Sequence, residues 1–429
     1  MKKLVLSFIT LFFSLAVIAQ KNLSDNELLD VVQKQTFKYF WDFAHPVSGM
    51  ARERSNTTFG YGNEVVTTGG TGFGVMSIIV ATERKWIGRD TAAKQVLKII
   101  NFLLKANSYH GAFPHWMNGT TGKTIPFSRK DDGADLVETS FLFEGLLCAK
   151  QYFNSNNEAE NELRNKIGWL WNDVEWNWFT KGEDVLYWHW SPNNGWAMNF
   201  PVHGFNECLI MYVLAASAEK YAINPSVYHK GWASGSFFKN GKTFYGYQLP
   251  LGFDYGGPLF FSHYSFLGLK PKGLKDQYAN YWIQNHNHTL INHAYCVANP
   301  KKFKGYGEDC WGLTASDTYN GYDAHSPTND HGTISPTAAL SAFPYTPDFS
   351  MKALKHFYYN LGNKIWGEYG FTDAFNETKN WYATSYLAID EGPIICMIEN
   401  YRSGLLWNLF MSCPEVQKGL QKLGFQYSK

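Results

Sequence analysis

The sequence predicts a mainly α-helical fold, an (α/α)6 toroid of alternating inner and outer helices. Three observations predict it. Long runs with helical hydrophobic period alternate with loops rich in Gly, Asn and aromatic residues, convincing alternating strands are scarce, and no linker or low-complexity stretch interrupts the alternation. Six apolar segments rich in small residues, 70–86, 134–153, 204–221, 257–267, 335–343 and 392–401, are the expected inner helices. Each follows a polar or glycine-rich loop. More amphipathic segments with Lys, Asn and Glu on one face, 91–107, 158–174, 275–297 and 350–361, are expected to wrap outside them.

The chain opens Met1-Lys2-Lys3, runs apolar from Leu4 to Ile18, and reaches Val17-Ile18-Ala19 before Gln20, the pattern of a secretory signal over residues 1–19. A single catalytic domain is expected over 20–429. The first cysteine after the apolar run is Cys148, too far along to carry a lipid anchor, and no later stretch is apolar enough to span a bilayer. A periplasmic or secreted monomer without membrane insertion is the expectation. The six cysteines, at 148, 208, 296, 310, 396 and 413, are widely spaced and read as small buried hydrophobes, with Cys296 and Cys310 the one pair close in sequence.

Net charge is +1, from 38 basic and 37 acidic residues, so nothing favours nucleic acid or a polyanionic partner. Aromatic residues make up 17% of the chain, with 16 Trp and 26 Tyr. Pyranose rings present flat C–H faces rimmed by hydroxyls, which suit Trp and Tyr, so a neutral polysaccharide or oligosaccharide fits the composition best.

Three acidic clusters could carry chemistry. In Arg129-Lys130-Asp131-Asp132-Gly133-Ala134-Asp135-Leu136-Val137-Glu138, a helix starting near Asp132 would put Asp131, Asp135 and Glu138 on one face at i, i+4, i+7. Crowded carboxyls raise at least one pKa, although Asp132 and Asp135 could equally cap a helix. In His203-Gly204-Phe205-Asn206-Glu207-Cys208, Glu207 is the one acid between Asp184 and Glu219 and is followed by an apolar run. Desolvation there favours the protonated form that a general acid needs. In Ile389-Asp390-Glu391-Gly392-Pro393, Asp390 or Glu391 could position water as a general base, or Asp390 could simply cap the last inner helix.

Aromatic loops would supply sugar subsites through Trp116, Trp188, Trp196, Tyr255, Trp311 and Tyr382, with polar contacts from Asp131, Glu391, Arg129, His203 and His331. The segment from Asp323 and His325 to Asp330 and His331 has metal-ligand residue types, but its spacing matches no recognised site, and no metal is expected. Phosphate-loop, dinucleotide, zinc-helix and nucleophile-elbow motifs are absent from the sequence, and no cofactor is expected.

Thr67-Thr68-Gly69-Gly70-Thr71-Gly72-Phe73-Gly74, the 131–138 cluster, Phe205-Asn206-Glu207-Cys208 and Ile389-Asp390-Glu391-Gly392-Pro393 occur in one order along nearly the whole mature chain. In combination they resemble the bacterial glucoamylase-like family that includes the endo-β-1,2-glucanases. The resemblance implies an (α/α)6 barrel and internal cleavage of linear β-1,2-glucan with inversion. It points to Glu207 as general acid and Asp390 as base, with Asp131, Asp135 and Glu138 along the cleft. A polysaccharide lyase on the same toroid competes, but would need a basic cleft for its uronate. A non-catalytic periplasmic glycan-binding protein competes less well, since binding a neutral sugar does not call for three buried acid sites.

Overall fold

The structure, a computed structural model, describes residues 23–55 and 62–428. The expected signal, residues 1–19, lies outside the described residues. The first helix, Asp25–Trp41, starts at a reciprocal cap, in which the Ser24 hydroxyl accepts from the Glu27 N–H and the Glu27 carboxylate accepts from the Ser24 N–H. Both amides would otherwise lack an intrahelical partner. The helix joins two hydrophobic cores, with Leu28, Leu29 and Val32 in the smaller and Phe37, Tyr39 and Phe40 in the larger.

Four of the six expected inner segments are helices: Thr68–Glu83, Leu136–Tyr152, Leu209–Ser217 and Ala388–Arg402, each buried along most of its length. The other two are not regular α-helices throughout. Segment 257–267 folds as two 3-10 turns, Leu259–Ser262 and Tyr264–Phe266, and segment 335–343 keeps only the short helix Pro336–Leu340. Apolar patterning reports burial, and a short buried 3-10 stretch reads like a short buried α-helix. The expected outer helices form at Arg89–Leu103, Glu158–Asp173, Tyr281–Ala298 and Pro347–Lys355, the last followed by a π-turn over His356–Asn360. Asp25–Trp41, Leu405–Ser412 and Pro414–Lys422 are helices that the sequence reading did not assign.

Thr68–Glu83 packs against both Leu136–Tyr152 and Ala388–Arg402, so three of the predicted motifs lie on adjacent helices. The first crossing is backbone on backbone. A Cβ on Gly72 would come within 2.1 Å of the Phe141 carbonyl oxygen, and one on Gly145 within 2.1 Å of the Gly72 carbonyl oxygen. Glycine inside an exposed helix ordinarily destabilises it by about 1 kcal/mol relative to alanine. Here the clash reverses the sign: Gly72→Ala is expected to destabilise the protein by about 1–3 kcal/mol, the range for overpacking a tight core. Urea unfolding checks this, and a neutral or stabilising result would mean the two helices can separate freely.

The strands of the described residues are two to four residues long and pair antiparallel in small ribbons. Val65–Thr67 pairs with Trp116–Asn118, Ala134–Asp135 with His189–Trp190, and Ala315–Thr318 with Gly321–Ala324. They hold together the loops that feed the inner helices. All six cysteines are buried and free, Cys296 and Cys310 included. No described helix is long and apolar enough to cross a membrane.

Candidate active site

A cavity of about 310 Å³ opens where these loops meet. Its wall is both aromatic and acidic: Trp116, Phe127, Phe141, Trp188, Phe260, Tyr264 and Tyr322 alternate with Glu53, Glu138 and Glu207, and Arg54 and His115 bring positive charge.

Asp131, Asp135 and Glu138 do converge, but not through helical spacing. The helix starts at Leu136, and residues before it are extended, with Asp135 at φ −121°, ψ 107°. Short bridges bring the acids together instead, Ser128 to Asp131 and Asp135 to His189. The cap is Asp135, whose Oδ1 accepts from the Glu138 N–H at 2.9 Å. Asp132 is not the cap and turns away to Ser191 and Asn193. Two histidines sit against the cluster: His115 Nδ1 hydrogen-bonds Asp135 Oδ2 at 3.0 Å, and His189 Nε2 lies 3.3 Å from Asp131 Oδ2. Burial alone would lower the His115 pKa, but Glu138, Asp135 and Asp131 outweigh it and raise it to about 9. His115 in turn holds Asp135 below the usual carboxylate range against its own burial.

Glu138 stands one turn into its helix, where Oε2 accepts from the Gly69 N–H at 2.7 Å. The first turn of one inner helix thereby meets the first turn of the next, a favourable place for a carboxyl. Burial nevertheless raises the Glu138 pKa, with His115 opposing. A Cβ at position 69 would sit 2.6 Å from that carboxyl oxygen, which accounts for Gly69 in the Thr67–Gly74 motif.

Glu207 precedes the helix Leu209–Ser217 by two residues, is 7% exposed, and lines the cavity. Burial, with the nearby charges of Glu138 and Asp135 adding to it, raises its pKa to about 7. At neutral pH the group is therefore poised to hold or release a proton.

Asp390 and Glu391 lie in the first turn of Ala388–Arg402, capped by Leu387 rather than Asp390, and Pro393 falls inside the helix. Neither acid lines the cavity directly. Asp390 Oδ1 is 3.5 Å from the hydroxyl of Tyr264, which does line it, whereas Glu391 is buried behind with Oε2 lacking a hydrogen-bond partner. The ionised Asp390 expected of a general base is not what the environment favours: burial, and then Asp373, push its pKa well above the usual range. Asp373 is hydrogen-bonded to Asp390, accepts the Asp317 N–H at 2.6 Å, and is itself raised to about 7 by burial and by Asp317. Two carboxyls in contact cannot both ionise, so the pair retains a proton at neutral pH. Asp317 is held separately by Arg54, at 3.0 and 3.1 Å.

Of the predicted binding residues, Trp116 and Trp188 line the cavity. Arg129 is exposed outside the lining, and His203 is exposed with Nδ1 on the Gly231 carbonyl. Trp196 packs on Trp178, Phe179 and Tyr187, and Tyr255 on Phe244 and Tyr295. Trp311 is fully buried in the smaller core and bonds the Phe349 carbonyl, so it is a packing residue. Tyr382 accepts from Lys364 Nζ, and exposed His331 pairs with Asp323 at 3.4 Å. Among the described residues, the grouping with metal-ligand spacing is His115, Asp131 and Asp135, whose ligand atoms lie within 4.8 Å, not the 323–331 loop. Sequence reasoning missed Glu53, Arg54, Tyr264, Tyr322, Asp317 and Asp373. The adjacent opposite charges of Glu53-Arg54, shortly before the glycine motif, were the one signal available.

A pocket of aromatic rings and buried carboxyls thus lies among the loops that feed the buried helices of a mainly helical chain. The chain belongs to the glucoamylase-like family: the family model "Glycoamylase: Putative glucoamylase" matches residues 199–414. The endo-β-1,2-glucanase of Chitinophaga pinensis, solved with sophorotriose and glucose, is 56% identical, with 94% of this chain and 99% of that one covered at a TM-score of 0.92. An exo-β-1,2-glucooligosaccharide sophorohydrolase (non-reducing end) of Parabacteroides distasonis is 48% identical over 423 residues, 94% of this chain. The chain spans 58% of the length of that curated relative. An endo-β-1,2-glucanase of Talaromyces funiculosus with β-1,2-glucan, 11% identical, matches in fold over 93% of this chain and 92% of that one at a TM-score of 0.64.

Proposed function

We propose that this protein hydrolyses linear β-1,2-glucan internally and with inversion, with Glu207 as general acid. The observation that carries the reading is Glu207 itself, a buried carboxyl on the wall of an aromatic cavity, its pKa raised to about 7. It delivers its proton to the glycosidic oxygen as the bond to the anomeric carbon breaks. Water attacks that carbon from the opposite face. Its proton passes to the Asp390–Asp373 pair, and the Tyr264 hydroxyl, between cavity and Asp390, is placed to relay it. Glu138, which lines the cavity and accepts from the Gly69 N–H, holds substrate hydroxyls on the Glu207 side, while the fully buried Asp135 fixes His115 on the wall beside it.

The 56% identity to the endo-β-1,2-glucanase of Chitinophaga pinensis supports the endo reading. The six inner segments would close as an (α/α)6 ring with 257–267 and 335–343 as its two reduced members. The cavity lining counters a lyase reading, because its cationic groups, Arg54 and His115, are already paired with Asp317 and Asp135 rather than open to a uronate. Product analysis on linear β-1,2-, β-1,3-, β-1,4- and α-1,4-glucans tests the proposal. Oligosaccharides of mixed length from the β-1,2-glucan alone are expected; disaccharide released singly from chain ends would make the enzyme exo-acting, and turnover of another glucan in its place would overturn the linkage.

A further inference from the structure

A second groove is lined by Ser236, Phe237, Lys239, Asn240, Phe253, Asp254 and Thr328. Phe237 and Phe253 are 54% and 36% exposed, yet their rings stack on each other at 4.5 Å and 27°. Two large apolar rings left in water as a flat pair, ringed by an amide, hydroxyls and charged groups, match the C–H face and hydroxyl rim of a pyranose. The Lys242–Asp254 ion pair beside them largely cancels its own charge, which suits a neutral ligand.

Two features join this groove to the cavity. Ring contacts run without a break from Tyr264 and Phe260, which line the cavity, through Phe261 to Phe253 and Phe237. In addition, the hairpin built on Ala315–Thr318 and Gly321–Ala324 carries Tyr322 on the cavity wall, and the turn after it carries Thr328 on the groove. Two ring contacts, Phe260 to Phe261 and Phe261 to Phe253, thus separate the cavity wall from the Phe253–Phe237 platform.

We propose that the Phe237–Phe253 groove is an outer binding subsite that takes distal residues of the same glucan chain whose bond is cut in the cavity. The proposal rests on the glucan reading above and deepens it, making the enzyme favour chains long enough to reach both places. Losing one ring of the platform is expected to weaken binding of a long chain about fivefold to tenfold, equivalent to about 1.0–1.4 kcal/mol.

The test compares Phe237→Ala, Phe253→Ala and Phe253→Trp with the parent on linear β-1,2-glucan and on the shortest oligosaccharide the parent cleaves. Thermal unfolding confirms that each variant is folded. The alanine variants are expected to raise KM for the long chain about fivefold to tenfold while leaving kcat/KM for the short substrate within twofold, and Phe253→Trp should restore the parent KM. Unchanged kinetics on both substrates would overturn the proposal. Equal losses on both would also overturn it, by showing that the rings support the cavity rather than a distant sugar. If the parent cleaves no β-1,2-glucan, it is the substrate reading that fails, and the same variants measured for binding of other neutral glucans, long against short, decide whether the platform is a sugar site.

Discussion

Glu207→Gln is expected to lower kcat/KM by about 10³-fold at pH 6, within the range by which a positioned general acid accelerates proton transfer. The amide keeps the shape and can occupy the same pocket, but it has no acidic proton to give. The pH profile makes the argument sharper. In the parent the acid must be protonated, and its pKa of about 7 puts the alkaline fall of kcat/KM near neutrality. That limb should disappear from the residual activity of Glu207→Gln. Stability moves in the opposite sense. Since the folded value lies above the ordinary glutamate value of 4.5, protonated Glu207 stabilises the fold fully below about pH 4.5, and this contribution is lost as pH rises through 7. The glutamine does not titrate, so the variant should unfold at or above the parent temperature at pH 8. Near-parent turnover would remove Glu207 from the acid role, and a collapse in stability at pH 8 would show that the carboxylate itself holds the loop.

Asp390→Asn should be nearly as severe, with kcat down by about 10³-fold, since the neutral amide cannot take the proton from water. Asp373→Asn separates position from chemistry. Asp373 touches Asp390 rather than the cavity, and it is among the groups that hold the Asp390 pKa up. Replacing it removes a like charge and offers an N–H to the Asp390 carboxylate, so the Asp390 pKa should fall. The acid limb of kcat/KM is therefore expected to shift to lower pH by a unit or more, with KM little changed. A variant that merely loosened the fold would lose activity at all pH values without moving the limb. An unmoved limb would show that Asp373 and Asp390 do not share a proton.

Much of this protein was legible in the chain because burial and capping are local in sequence. The apolar runs marked the inner segments, and the amphipathic ones marked Arg89–Leu103, Glu158–Asp173 and Tyr281–Ala298, because period and burial coincide in a helix packed on one side. Glu207 stood out as an isolated acid beside an apolar run, and its raised pKa follows from the burial that the run implied. The Asp131 to Glu138 cluster was legible as a meeting of acids but not in its mechanism. Spacing suggested one helical face, while the fold brings these side chains together through strand bridges and two histidines, His115 and His189.

Only the tertiary structure decided the partners that come from distant sequence. Asp390 was found by its motif, but its ionisation depends on Asp373 and, through it, on Asp317, and a group's pKa is set by the charges that surround it in space. Arg54 and Tyr264 joined the site for the same reason, one paired to a carboxylate 263 residues away and the other placed between the cavity and an acid 126 residues away. Trp311 and Trp188 looked alike in sequence, each an aromatic in a loop. One is sealed in the smaller core and the other lines the cavity, because a tryptophan's composition fixes what it can bind and its surroundings fix whether anything can reach it.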